Sequence, residues 1–169
     1  MPKYWIGKEG GLYIKTADTA ETVQLPDALV ELEVVEDVDV DMDSTSAEIN
    51  NRESSYTKNR QATQSCEVSG TITYKEGTTS TGALQDLMDS YTNNEVVTIA
   101  VLTAKHDATA PSGTIATKGV LGNFEVTELV HNQPLTDGQT IDFTAMLYHW
   151  EDDDQEANYK WYEVEGTEL

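Results

Sequence analysis

The chain has 169 residues, with 10 Lys plus Arg against 31 Asp plus Glu, a formal charge of −21. It therefore lacks the basic surface needed to grip nucleic-acid phosphates. At 18.7 kDa it has the size of one domain, and its low hydrophobic content of 38% falls in ordered patterns, which excludes wholesale disorder.

Cys66 is the only cysteine, so no internal disulfide forms. No apolar run approaches the ~20 residues of a membrane span, and Met1-Pro2-Lys3-Tyr4-Trp5 lacks the apolar core of a signal peptide. A soluble, acidic, single-domain protein without a cleaved export signal is expected over residues 1–169.

In chain order, residues 4–6 and 12–14 bracket Lys8-Glu9-Gly10-Gly11 and predict a hairpin. From Val30 the apolar residues Val30, Leu32, Val34, Val38, Val40 and Met42 alternate with Glu31, Glu33, Asp37, Asp39, Asp41 and Asp43. That period predicts one strand with an apolar face and a carboxylate face, with a bulge or bend where it inverts at Val35-Glu36. Residues 44–62 are polar and predict a long loop; an acidic tail is expected from residue 151. Between 65 and 74, Cys66, Val68, Gly70, Ile72 and Tyr74 line one strand face, which makes Cys66 a small buried hydrophobe.

Leu84, Leu87, Met88 and Tyr91 have the i, i+3, i+4, i+7 spacing of a helix. We place it at about residues 81–92, with Ser80 or Thr81 as cap and Asn93-Asn94 at its end. Residues 95–103, rich in β-branched side chains, predict a strand buried on both faces. A loop through Asp107 and Pro111-Ser112-Gly113 follows. Residues 114–129 then predict two strands, or one bent at Gly119 or Gly122. A turn at 134–138 leads into an alternating strand at 140–150. The predicted architecture is mainly β: an antiparallel β-sandwich or barrel with one flanking α-helix.

Motifs that carry chemistry are scarce. Asp37, Asp39, Asp41 and Glu48 fall at positions 1, 3, 5 and 12 of a calcium loop, but Met42 stands where the turn needs glycine. His106, His131 and His149 lack zinc-ligand spacing. No nucleophile, base and orienter occur in recognisable order, so neither enzymatic activity nor a cofactor is expected. Arg52, Lys58 and Arg60 form the only basic patch, read either as a solvated loop or as a contact with the acidic face of a neighbouring copy. The aromatic cluster Tyr159, Trp161 and Tyr162 reads as packing on a sheet edge or as a strand added to a partner.

The run Val38-Asp39-Val40-Asp41-Met42-Asp43, followed by Ala47-Glu48-Ile49-Asn50-Asn51-Arg52-Glu53-Ser54-Ser55-Tyr56, resembles the major tail tube proteins of long-tailed bacteriophages. The strand Glu67-Val68-Ser69-Gly70-Thr71-Ile72-Thr73-Tyr74, the helix at 83–91, and the turn Asn132-Gln133-Pro134-Leu135 before the strand at 140–148 fit the same layout. The likeness follows the order of elements from residue 30 to 150.

This resemblance implies a structural virion protein that self-assembles into hexameric rings, stacked as the hollow tail tube for genome delivery. The implied partners are further copies, tape-measure and tail-completion proteins, and double-stranded DNA that passes without specific binding; no membrane is involved. The implied location is the virion tail, assembled in the host cytoplasm. For the lumen lining the candidates are Glu31, Glu33, Asp37, Asp39 and Asp41. For the contact between rings they are Arg52, Glu53, Tyr56, Lys58 and Arg60 in the 44–62 segment. The alternatives are a β-sandwich binding module for carbohydrate or protein, calcium-dependent through Asp37–Glu48, and a DNA-mimic inhibitor.

Overall fold

The computed structural model describes residues 10–16, 30–32, 35–49, 58–73, 81–103, 115–135, 138–148 and 159–165. Its strands are β1 (Gly11–Thr16), β2 (Val30–Glu31), β3 (Val35–Ile49), β4 (Lys58–Thr73), β5 (Val96–Leu102), β6 (Ile115–Asn132), β7 (Thr140–Leu147) and β8 (Tyr159–Glu165), with helix α1 at Thr81–Asn93. The described strands form one antiparallel sheet in the order β2-β1-β5-β6-β7-β4-β3, with β8 paired to β6. The fold is mainly antiparallel β with one flanking helix, as the periodicity predicts.

The alternation from Val30 to Met42 does not make one strand. It is divided into β2 and β3, which sit at opposite ends of the sheet order. This division reveals the curl of the sheet. Seven flat strands would hold their outer members about 29 Å apart at ~4.8 Å spacing. Residues 31 and 35 are only four steps apart in the chain, which spans at most ~14 Å. The sheet therefore wraps round until its two edges approach, closer to a barrel than to a two-sheet sandwich.

The concave face holds the core. Leu12, Ile14, Cys66, Val68, Ile72, Val97, Ile99, Phe124, Ile141, Phe143 and Ala145 are buried in one cluster, and Ala83 and Leu87 of α1 join it. The predicted helical stripe is only partly correct. Leu87 is fully buried, but its companions are Ala83 and Ser90, while Tyr91 is 45% exposed. The helix is rolled so that Leu84 packs only partly buried against the core, Met88 is half-buried and Tyr91 turns towards the exposed side. Its end matches the prediction: Asn94 has φ 55, and the Glu95 amide donates to the Ser90 carbonyl at 3.0 Å. That pairing is the Schellman arrangement, which satisfies orphan carbonyls at a helix end.

β5 is buried on both faces as predicted, because Ala100 and Leu102 join Tyr13 and Leu121 in a second cluster. Residues 115–132 form a single strand rather than two. At Gly119 β5 comes close to this strand: a Cβ there would fall on the Val101 carbonyl. The predicted bulge near Val35-Glu36 is present as a register shift between Glu36 and Asp39, with Asp37 at φ 51.

Two predicted irregular segments are corrected. The 44–62 loop is largely strand, since β3 and β4 stay paired as far as Ile49 opposite Lys58. Its Ser/Thr-rich stretch obeys no apolar alternation because no core lies on either side of it. The region from 151 is not wholly a tail, because β8 pairs with β6 from Gly122–Tyr159 to Ile115–Glu165. β7 and β8 lie end to end on one edge of β6, with Leu147 opposite Phe124 and Tyr159 opposite Gly122. The hairpin predicted around residues 4–14 has its first half outside the described residues; its second half, β1, pairs with β2 and β5.

Candidate functional site

Two surfaces follow from this geometry. The first is the convex face of β3, β4, β7 and the C-terminal half of β6. The inward partners on β3, Val38 and Val40, pack against the core, which turns Asp39, Asp41 and Asp43 outward, all exposed. The strand register then extends this face into rows. Asp41 lies opposite Glu67, Glu67 opposite Met146, and Met146 opposite Glu125. Asp39 begins a second row that continues through Ser69 and Thr144 to Glu128, and Glu36 a third that runs through Thr71 to Asp142. Three strand spacings make the patch roughly 14 Å wide.

One carboxylate in the patch is anchored. Asp142 accepts a hydrogen bond from the Thr71 hydroxyl at 2.7 Å and another from the Asn132 amide at 2.7 Å. Asp41 and Glu67, by contrast, are like charges directly opposed, an arrangement that destabilises a strand pair. Among the described residues no cation is paired with either.

The five expected lining residues are therefore not one face. Asp39 and Asp41 share the patch, and Asp37 lies at the bulge on the same strand. Glu31 sits on β2 at the other end of the sheet order, and Glu33 lies outside the described residues. Sequence reasoning missed Glu36, Glu67, Glu125, Glu128 and Asp142. Glu67 was legible as the outward partner in the 65–73 alternation; Glu125, Glu128 and Asp142 become neighbours only through the β6-β7-β4 register.

The second surface is a projecting arm. β4 loses its β7 partner beyond Glu67–Met146, whereas its pairing with β3 continues from Cys66–Met42 to Lys58–Ile49. The eight residues of β3 from 42 to 49 give a two-stranded ribbon about 27 Å long. Met42 is 53% exposed, and Asp43, Ser44, Thr45, Ser46, Gln64 and Ser65 are also exposed. A ribbon of this kind has marginal stability in water. Lys58 stands opposite Ile49 and Arg60 opposite Ala47; Arg52, Glu53 and Tyr56 lie outside the described residues.

Among the described residues neither reactive chemistry nor a calcium loop emerges. Cys66 is buried, and burial, with Asp41 nearby, pushes its thiol pKa up, which disfavours the thiolate a nucleophile needs. The calcium alternative required residues 37–48 to wrap round an ion, but they run as strand. Side chains two apart on a strand stand ~7 Å from each other. Among the described residues no group of three His, Cys, Asp or Glu is arranged to hold a metal.

The chain is thus a curled antiparallel sheet with one packed helix, a carboxylate face and a projecting hairpin. No protein-family model and no curated protein sequence matches it, but solved structures do. The tail tube of SPP1 is similar with a TM-score of 0.58 at 10% identity, over 84% of this chain and 74% of that one. A chain of a native gene transfer agent virion gives 0.56 at 12% identity, over 86% and 95%. A chain of the tail of an empty gene transfer agent particle, solved with C6 symmetry, gives 0.54 at 15% identity, over 86% and 95%. The chain has the fold of a tail tube protein, shared in structure at low sequence identity.

Proposed function

We propose that this protein is a non-enzymatic virion component that self-assembles into hexameric rings, stacked as a hollow tail tube through which a genome is delivered. The observation that carries this reading is the fold it shares with the SPP1 tail tube over 84% of its length. The C6 symmetry of the gene transfer agent tail supports a ring of six. Such a ring has a formal charge of 6 × −21 = −126. Further partners are tape-measure and tail-completion proteins, with assembly in the host cytoplasm and a final place in the virion tail.

In this reading the convex carboxylate face of β3, β4, β6 and β7 lines the lumen. Double-stranded DNA carries one charge per ~1.7 Å of axis, so a carboxylate wall repels it and lets it slide without sticking. The arm makes the contact between rings, with Arg52, Glu53, Tyr56, Lys58 and Arg60 in and beside it. Docking would supply the further partner that a two-stranded ribbon lacks.

Negative-stain electron microscopy of concentrated protein at low and high salt tests the proposal. The expected result is tubes or stacked rings, favoured by salt that screens repulsion between subunits, since the Debye length falls from ~10 Å at 0.1 M to ~3 Å at 1 M. Arg52→Glu with Lys58→Glu should keep the fold and block stacking. Particles that stay monomeric at every salt concentration and protein load, even when seeded with tail initiation complexes, would overturn it.

A further inference from the structure

β3 and β6 each carry a residue that their alternation does not need. On β3 the register passes from Glu36–Thr71 to Asp39–Ser69, so Asp37 and Val38 together face Gly70. On β6 it passes from Val126–Ala145 to Glu128–Thr144, which leaves Thr127 as the extra residue. Without Asp37 the run Val35, Glu36, Val38, Asp39, Val40 alternates half-buried and exposed at every step. Without Thr127 the run Phe124, Glu125, Val126, Glu128, Leu129 alternates apolar and acidic in the same way. Neither insertion is needed to keep the apolar side chains inward. Asp37 moreover sits at φ 51, a left-handed conformation that a non-glycine residue adopts only at a cost.

The register brings the two insertions together. Between them, β4 and β7 pair without a shift from Glu67–Met146 to Thr73–Thr140. Gly70 faces Phe143, and the next residue, Thr144, stands beside the Thr127 bulge. The bulges thus lie at one level of the sheet, on either side of an unbroken strand pair. A Cβ on Gly70 would stand 3.1 Å from the Phe143 ring and 3.5 Å from Val35, so the ring covers the glycine. The Thr127 hydroxyl donates to the Thr144 carbonyl at 3.3 Å. A bulge bends its strand and raises the local twist, and bulges with glycine kinks at set positions curve a sheet. We propose that Asp37, Gly70 and Thr127 form one transverse crease, two matched bulges that bend the β3-β4-β7-β6 wall as a unit and drive the curl of the sheet. The crease divides the carboxylate face, with Glu36 and Asp142 on one side and Asp41, Glu67 and Glu125 on the other. It belongs to the single chain and does not depend on tube assembly.

A deletion cycle on the full chain tests this. Asp37 and Thr127 are three strand spacings apart, about 14 Å, and changes that distant ordinarily add. The chain is made without Asp37, without Thr127 and without both, and each form is unfolded in urea. Either deletion alone leaves one flank bent and the other flat, and should lower the folding equilibrium constant about tenfold or more. Removing both restores the match. The double deletion should therefore lie at least about fivefold above the product of the two single effects.

Periodicity alone predicts the opposite, because each deletion perfects an alternation and the loss of Asp37 also removes a strained residue. A single deletion at least as stable as the unaltered chain overturns the proposal, as do effects that simply add. Should a deleted chain fail to fold, two substitutions decide. Asp37→Gly keeps the bulge and eases its positive φ, so it should raise the thermal midpoint. Asp37→Val forces a β-branched residue into the same conformation and should lower it. In Asp37→Val the disturbance should cross the crease: the amide NMR signals of Thr127 and Glu128 should move more than those of Leu12 and Ile99. Shifts confined to β3 and β4 would show two unrelated bulges and overturn the proposal.

Discussion

Replacing Glu67 by Gln isolates the cost of the carboxylate row. Asp41 and Glu67 are register partners on adjacent strands, and directly opposed side chains have Cβ atoms about 5 Å apart. Two unit charges ~6 Å apart in water repel by about 0.7 kcal/mol, which screening at a Debye length of ~8 Å reduces to about 0.3 kcal/mol. Glu125 adds a smaller contribution from beyond Met146. Glu67→Gln keeps the shape and removes the charge. It should therefore stabilise the monomer by roughly 0.3–1 kcal/mol at ~0.01 M salt, where the Debye length is ~30 Å. The gain should vanish near 1 M. Urea unfolding midpoints of the two proteins at both salt concentrations measure this, with an unchanged m-value confirming that only stability has moved. A variant that is less stable at low salt, or a difference independent of salt, would show that Glu67 has a compensating partner and that the row is not frustrated.

Three other outcomes are expected. Asp142→Ala removes the acceptor of two hydrogen bonds and should cost about 1–2 kcal/mol in the same assay, the reverse sign from Glu67→Gln. Gly119→Ala drives a methyl into the Val101 carbonyl; overpacking against backbone should cost about 3 kcal/mol or more, visible as a lowered thermal midpoint. Cys66 has its thiol pKa raised from 9.0 by burial first and by Asp41 second. The unfolded thiol thus ionises before the native one, so its contribution is complete below the unfolded pKa and lost as pH rises above it. Cys66→Ala should remove that alkaline loss in pH-dependent unfolding curves.

The parts of this fold legible in the sequence are those with a local cause. The bulge showed where the alternation inverts beside Asp37, the helix end showed in Asn94, and the doubly buried β5 showed in Val96, Val97, Ile99 and Val101. What stayed hidden depends on register. Glu31 and Asp39 share one alternation in the chain, inverted for a single step at Val35-Glu36, yet the curled sheet sends them to opposite ends of its strand order. Nothing in a period of two distinguishes that from a single strand. The arm was misread for a related reason. Ser44, Thr45 and Ser46 resemble a loop because strand patterning reports burial on one face, and a ribbon exposed on both faces carries no such pattern. Likewise the roll of α1 was set by Ala83 and Ser90, small residues that an apolar-stripe count overlooks.

The carboxylate face and its place in the assembly can be tested together by helical cryo-electron microscopy of tubes grown from the purified protein. The prediction is a hollow tube whose inner wall is formed by β3, β4, β6 and β7, with Asp39, Asp41, Glu67 and Glu125 facing the channel. A tube that turns those four carboxylates to its outer surface, or buries them between subunits, would contradict it.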